Sequence, residues 1–208
     1  KHVLYNLFNV LVDNGDEVLI PSPYWVSYPE QVKICGGIPV ILETSQETGF
    51  KITKEQIESK CSNKTKILVL NFPSNPTGST YNREELMQIA KVAQEKDLIV
   101  ISDEIYDKIV YSGIKHVSFP ELSDDAKERT ILVNGVSKTY SMTGWRIGYA
   151  AGNPKVISAM NNLSGQSTSN PTSISQKAAI EAFSGTQEKV KEMLAEFETR
   201  KNYISSYL

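Results

Sequence analysis

The chain has 208 residues, 40% of them hydrophobic, enough to bury one sizeable core or one domain with an appendage. Lys and Arg total 22 against 24 Asp and Glu, a net charge of −2 that gives no electrostatic case for nucleic acid or an anionic membrane as partner. The apolar runs are strand-length, Lys1-His2-Val3-Leu4 has no signal-peptide layout, and Cys35 and Cys61 are too few for a disulfide framework, so a cytoplasmic location with reduced thiols is expected.

Residues 1–12 carry apolar side chains at helical spacing and end in the turn residues Asp13-Asn14-Gly15-Asp16. Residues 17–21 read as a short strand. Pro21-Ser22-Pro23 breaks it and leaves Tyr24 and Trp25 on the following loop. A helix over 26–35 stops at Gly36-Gly37, and the next strand covers 38–43. Thr53 with Gln56 fits a capping box that opens a helix to about Lys60. Residues 66–72 (K-I-L-V-L-N-F) are apolar enough to be buried on both faces, as central parallel strands are.

Pro73-Ser74-Asn75-Pro76-Thr77-Gly78 then makes a rigid turn. Asn82 with Glu85 caps an amphipathic helix that runs through Leu86, Ile89, Ala90 and Ala93 to Lys96. The strand at 98–102 runs into Asp103-Glu104-Ile105-Tyr106. A weak helix precedes a strand at 130–134, and Asn153-Pro154 caps a further helix. Residues 173–183 are helical. Residues 187–208 form a long amphipathic helix, with Val190, Met193, Leu194, Phe197, Ile204 and Leu208 on the face that packs on the core or bridges to another domain. Alternation of strands and helices predicts an α/β domain of three layers, with a mostly parallel central sheet flanked by helices.

In such sheets ligands collect at the carboxyl ends of the strands. Trp25, Asn75, Asp103 and Lys138 each follow a strand, so separate loops converge on one edge. Lys138 lies in V-S-K-T-Y-S-M-T-G-W-R-I-G-Y, the irregular loop after the 130–134 strand. A lysine at the end of a buried strand can lose its charge by desolvation, and a neutral amine attacks carbonyls. Ser137 and Arg146 are residue types that hold a phosphate. Asp103 ends a buried strand, where a carboxylate is costly unless it meets a cation; its other use is as a helix N-cap. Tyr106, one helical turn further on, either faces the same pocket or is an ordinary half-buried aromatic. Asn75 is a polar ligand or a turn residue before proline. Trp25 stacks on a planar ring or plugs the core. Lys1 sits where a helix amino end favours phosphate or carboxylate, unless it is merely a loose chain end.

The set S-P-Y-W, N-P-T-G, S-D-E-I-Y and S-K-T-Y-S-M-T-G-W-R-I-G-Y, in this order, resembles the fold-type I, pyridoxal-phosphate-dependent class I/II aminotransferases. S-P-Y-W-V-S-Y-P-E-Q-V and M-T-G-W-R-I-G-Y most resemble the bacterial aspartate aminotransferases of subgroup Ib. The resemblance implies that Lys138 forms the Schiff base with pyridoxal 5′-phosphate and shuttles the substrate proton. It implies that Asp103 binds the ring nitrogen, Asn75 and Tyr106 the phenolic oxygen, and Ser137 and Arg146 the phosphate. Trp25 would stack on the ring, Lys1 would match the last residue of a G-G-K phosphate-binding turn, and Trp25 and Asn75 would also touch substrate. No metal ligand is implied.

The expected partners are an amino acid, aspartate foremost, and a 2-oxo acid, with a homodimer as the assembled form. The expected layout is a large cofactor-binding domain over 1–185, lacking its amino-terminal side, and a helix over 186–208 leading toward a carboxyl-terminal small domain outside this chain. That small domain would supply the arginine for the substrate's α-carboxylate, so residues 1–208 alone are expected to be inactive or nearly so. The competing readings are another reaction on the same scaffold, such as a β-lyase or a synthase, and a non-catalytic aminotransferase-like sensing domain.

Overall fold

The computed structural model describes residues 1–111 and 113–208. Its elements run α1 (His2–Leu11), β1 (Glu17–Pro21), α2 (Ser27–Ile34), β2 (Ile38–Leu42), α3 (Lys54–Lys60), β3 (Thr65–Asn71), α4 (Arg83–Glu95) and β4 (Ile99–Asp103). After a short 3-10 turn, Phe119–Glu121, come α5 (Asp124–Arg129), β5 (Thr130–Gly135), a second 3-10 turn at Thr143–Trp145, β6 (Gly148–Ala151), α6 (Pro154–Gly165), α7 (Ser173–Ser184) and α8 (Glu188–Ser205). Both expected capping boxes form: Thr53 and Gln56 exchange side-chain and backbone bonds ahead of α3, and Asn82 and Glu85 do so ahead of α4.

Among the described residues the strands make one sheet of order β2-β1-β3-β4-β5-β6, parallel except for the β5–β6 pair. The exception has a local cause. The segment between β5 and β6 contains no crossover helix, so the chain turns back beside the strand it has just left. That segment carries Lys138.

Alternation along the strands builds two cores. Ile67 and Val69 of β3 face a cluster with Leu4, Leu7 and Phe8 of α1, Val32 of α2 and Met160 of α6. Leu68 and Leu70 face the other side, against Ile57 of α3, Leu86 and Ile89 of α4, and Ala126 of α5. Helices thus cover both faces, which makes the three-layer α/β domain expected from the alternating pattern.

The long carboxyl-terminal helix behaves differently from a core helix. Val190, Met193, Leu194 and Phe197 are only half-buried, while Ile204 and Leu208 stand 59% and 102% exposed. Of the two expectations for its apolar face, packing on this core fails for the second half of α8. The first half touches the Lys138 loop, where Tyr140 Oη donates to Gln187 Oε1 (3.2 Å) and Ser141 Oγ lies 3.4 Å from Met193 Sδ.

Candidate active site

The carboxyl ends of β1, β3, β4 and β5 open onto a cavity of about 400 Å³. Its wall includes every residue singled out from the sequence: Lys1, Trp25, Asn75, Asp103, Tyr106, Ser137, Lys138 and Arg146. Residues far apart in the chain meet there because parallel strands deliver all their outgoing loops to one edge.

Asp103 is the last residue of β4 and only 5% exposed. Its Oδ2 accepts from Tyr28 Oη at 2.8 Å and its Oδ1 from the Ile105 amide at 3.3 Å. Burial pushes the carboxyl above its ordinary range, opposed by the Tyr28 and Ile105 hydrogen bonds and reinforced by Glu104. Among the described residues no lysine, arginine or histidine side chain forms an ion pair with it. Asp103 is not a helix N-cap: residues 104–107 form a turn, with Asp107 N donating to Glu104 O. Tyr106 is therefore on a turn and not one helical turn along, yet its half-buried ring still reaches the cavity, 5.7 Å from Lys138 Nζ.

Lys138 is half-buried in the turn after β5. The turn is held by Tyr140 N donating to Val136 O and Ser141 N donating to Lys138 O. Ser137 is half-buried beside it. Arg146 adopts a left-handed backbone conformation, φ 57°, and its Nη1 donates to the Thr143 carbonyl, which leaves the rest of an exposed guanidinium available at the cavity rim. Lys1 caps the amino end of α1 without a side-chain cap bond, and its Nζ lies 4.9 Å from the centre of the Trp25 ring. Trp25 is half-buried and so lines the cavity without plugging the core.

Three wall residues escaped the sequence reading. Tyr28, 2% exposed, anchors Asp103. Asn71 ends β3; its Nδ2 donates to the Asp103 carbonyl at 2.9 Å and its Oδ1 accepts from the Asn75 amide at 2.8 Å, which ties two candidate residues together. Asn134 holds the Gly135 amide through Oδ1 at 2.7 Å, just ahead of the Lys138 turn. A polar residue closing an apolar strand was the available signal for both asparagines. Chemically the cavity combines a primary amine, a buried carboxylate with lone pairs to spare, a flat aromatic face and two cations at its edge.

Comparison with known proteins resolves what such a cavity belongs to. The pattern of the family "Aminotransferase class I and II" matches residues 1–208. The chain belongs to that family. It is 56% identical over 200 residues to the aspartate aminotransferase of Bacillus sp. (strain YM-2), covering 96% of the chain and 51% of that protein. It is 55% identical over 208 residues to the aspartate aminotransferase of Bacillus subtilis (strain 168), covering 100% and 53%. The crystal structure of the aspartate aminotransferase from Rhizobium meliloti superposes with a TM-score of 0.95 at 40% identity, covering 98% of this chain and 51% of that one. The chain thus spans about half the length of the curated relatives it matches.

Proposed function

We propose that the protein carrying this chain is a pyridoxal 5′-phosphate-dependent aminotransferase that moves an amino group between an L-amino acid, aspartate foremost, and a 2-oxo acid such as 2-oxoglutarate. The observation that carries the reading is the buried Asp103 carboxylate, without an ion-pair partner among the described residues, sharing one cavity with the amine of Lys138. A buried carboxylate so placed calls for a cationic donor, and a protonated pyridine nitrogen is one. The name borne by the two Bacillus relatives supports aspartate as the amino donor.

In this reading Asp103 accepts from the ring N–H and keeps its proton in place. Asn75 and Tyr106 hydrogen-bond the phenolic oxygen. Ser137, Arg146 and Lys1 neutralise and orient the phosphate, and Trp25 covers one ring face and excludes water from it. When bound, the cofactor supplies an electron-withdrawing ring that takes up the charge left as the substrate's α-proton departs. Lys138 Nζ takes that proton and returns it during the exchange, as a general base and then a general acid. Residues 1–185 act as the cofactor-binding large domain, and 186–208 lead toward a small domain that completes the substrate site. A homodimer in the cytoplasm is the proposed working form; among the described residues no helix is long and apolar enough to cross a membrane.

The test is a titration of the full-length polypeptide with pyridoxal phosphate, followed by borohydride and peptide mass mapping, with Lys138→Ala alongside. Reduced cofactor fixed to Lys138 in the parent and absent from the variant is the expected result, with oxaloacetate and glutamate appearing from aspartate and 2-oxoglutarate. Cofactor trapped elsewhere, or not at all, overturns the reading. Pyruvate, ammonia and a thiol released from a cysteine thioether, with no glutamate formed from aspartate and 2-oxoglutarate, would mark a β-lyase instead.

A further inference from the structure

The Asp103 carboxylate is held by one short hydrogen bond and one long one. The long one, 3.3 Å from the Ile105 amide, is local to the strand end. The short one comes from Tyr28, on a different helix, at 2.8 Å. Tyr28 occupies the first turn of α2, is 2% exposed, and packs in the core cluster that contains Leu4 and Phe8 of α1 and Val32 of α2. Its ring also stands edge-on to Trp25, with centroids 5.4 Å apart and planes at 83°, and its amide donates to the Trp25 carbonyl at 3.1 Å. One buried side chain therefore touches both the acidic and the aromatic wall of the cavity.

We propose that Tyr28 is a positioning residue for the cofactor site: its hydroxyl orients Asp103 and keeps it ionised, while its ring fixes the attitude of Trp25. The inference rests on the aminotransferase reading above and adds a residue to it. The physical case is that a carboxylate removed from water needs charge-assisted donors to stay ionised, and only an ionised Asp103 can hold a cationic ring nitrogen. Tyr28 is suited to be a permanent donor. Burial, then the adjacent Asp103 charge and the hydrogen bond to it, push its own hydroxyl well above its usual range, so it does not lose its proton near neutrality. The titratable groups that bear on Asp103 are Tyr28 from α2 and Glu104 from the strand end, with Tyr106 acting on Tyr28, and Lys1, Lys138 and Arg146 line the same cavity.

The experiment uses the full-length polypeptide and compares Tyr28→Phe with wild type, Asp103→Asn and the double variant. Phenylalanine keeps the ring and its contact with Trp25, so folding is retained while the donor is lost. The first readout is equilibrium affinity for pyridoxal phosphate across pH. Loss of a hydrogen bond to a charged group predicts roughly 10- to 100-fold weaker binding. The pH below which binding fails should also move upward, because Asp103 without its short donor protonates more readily. The second readout needs no cofactor: Tyr28→Phe should destabilise the apo protein more above the Asp103 titration than below it, since the lost bond is strongest to the ionised form.

In the Asp103→Asn background the further change to Phe should cost far less than in wild type. Weaker binding with no movement of the pH profile, or full additivity of the two substitutions, reduces Tyr28 to packing and overturns the inference. Wild-type affinity in Tyr28→Phe overturns it as well. A wild type that binds no pyridoxal phosphate through Lys138 overturns the aminotransferase reading itself, a distinguishable result.

Discussion

Gly135→Ala is the substitution whose consequence can be worked furthest from the coordinates. Gly135 ends β5 and pairs with Gly148 of β6, immediately ahead of the turn that carries Ser137 and Lys138. A Cβ there would stand 2.7 Å from the Ile147 carbonyl oxygen and 2.9 Å from Gly148 Cα. Both are backbone atoms, so no rotamer change relieves the clash. The two strands must part by roughly half an ångström to recover van der Waals contact. Overpacking of this kind costs about 1–3 kcal/mol, which for a domain of this size lowers the melting temperature by about 2–12 °C. The displacement falls on the loop holding the amine, where a misplacement of this order costs about tenfold in rate.

Differential scanning calorimetry, cofactor titration and steady-state rates of the full-length variant read these effects. Gly165→Ala, at the last residue of α6, is the control: nothing lies within 4 Å of its added Cβ. It should be neutral or stabilise by about 0.4–1 kcal/mol. If Gly135→Ala melts with wild type and binds cofactor equally well, the close β5–β6 approach does not set the position of Lys138, and the argument fails.

Asp103→Asn should stabilise the apo protein near neutral pH while weakening cofactor binding. The folded carboxyl is raised above its ordinary 3.8 by burial, so the stability it contributes is complete below that value and is lost as pH rises through the folded pKa. The variant's advantage in melting temperature should therefore grow from about pH 4 upward; an advantage flat across pH would contradict the assignment. Glu104→Ala removes one carboxylate that serves Ser102 Oγ of β4 (2.8 Å), the Phe119 amide of the 3-10 turn (3.1 Å) and His116 Nε2 of the segment between them (2.7 Å). Leaving those groups unpaired should cost about 3 kcal/mol or more, and Glu104→Gln distinctly less; equal denaturation midpoints for the two would refute the role of the Glu104 side chain as their shared partner.

The sequence by itself determined the α/β class, the order and approximate limits of the elements, and the motif-bearing side of the sheet. These depend on signals within a few residues: the capping pairs Thr53–Gln56 and Asn82–Glu85, the doubly apolar run of β3, and the breaks at Pro21-Ser22-Pro23 and Gly36-Gly37. Trp25, Asn75, Asp103 and Lys138 were legible for the same reason, since each lies at or after a strand's carboxyl end. Only the tertiary structure decided the turn at Tyr106, the half-exposed setting of Lys138 and the antiparallel return of β6. It alone revealed the partners behind the pocket wall. Tyr28 and Asp103 are 75 positions apart, and Asn71 meets the Asp103 carbonyl across 32. No local periodicity encodes such pairs, because they form only when adjacent parallel strands and the helix packed across them share one core.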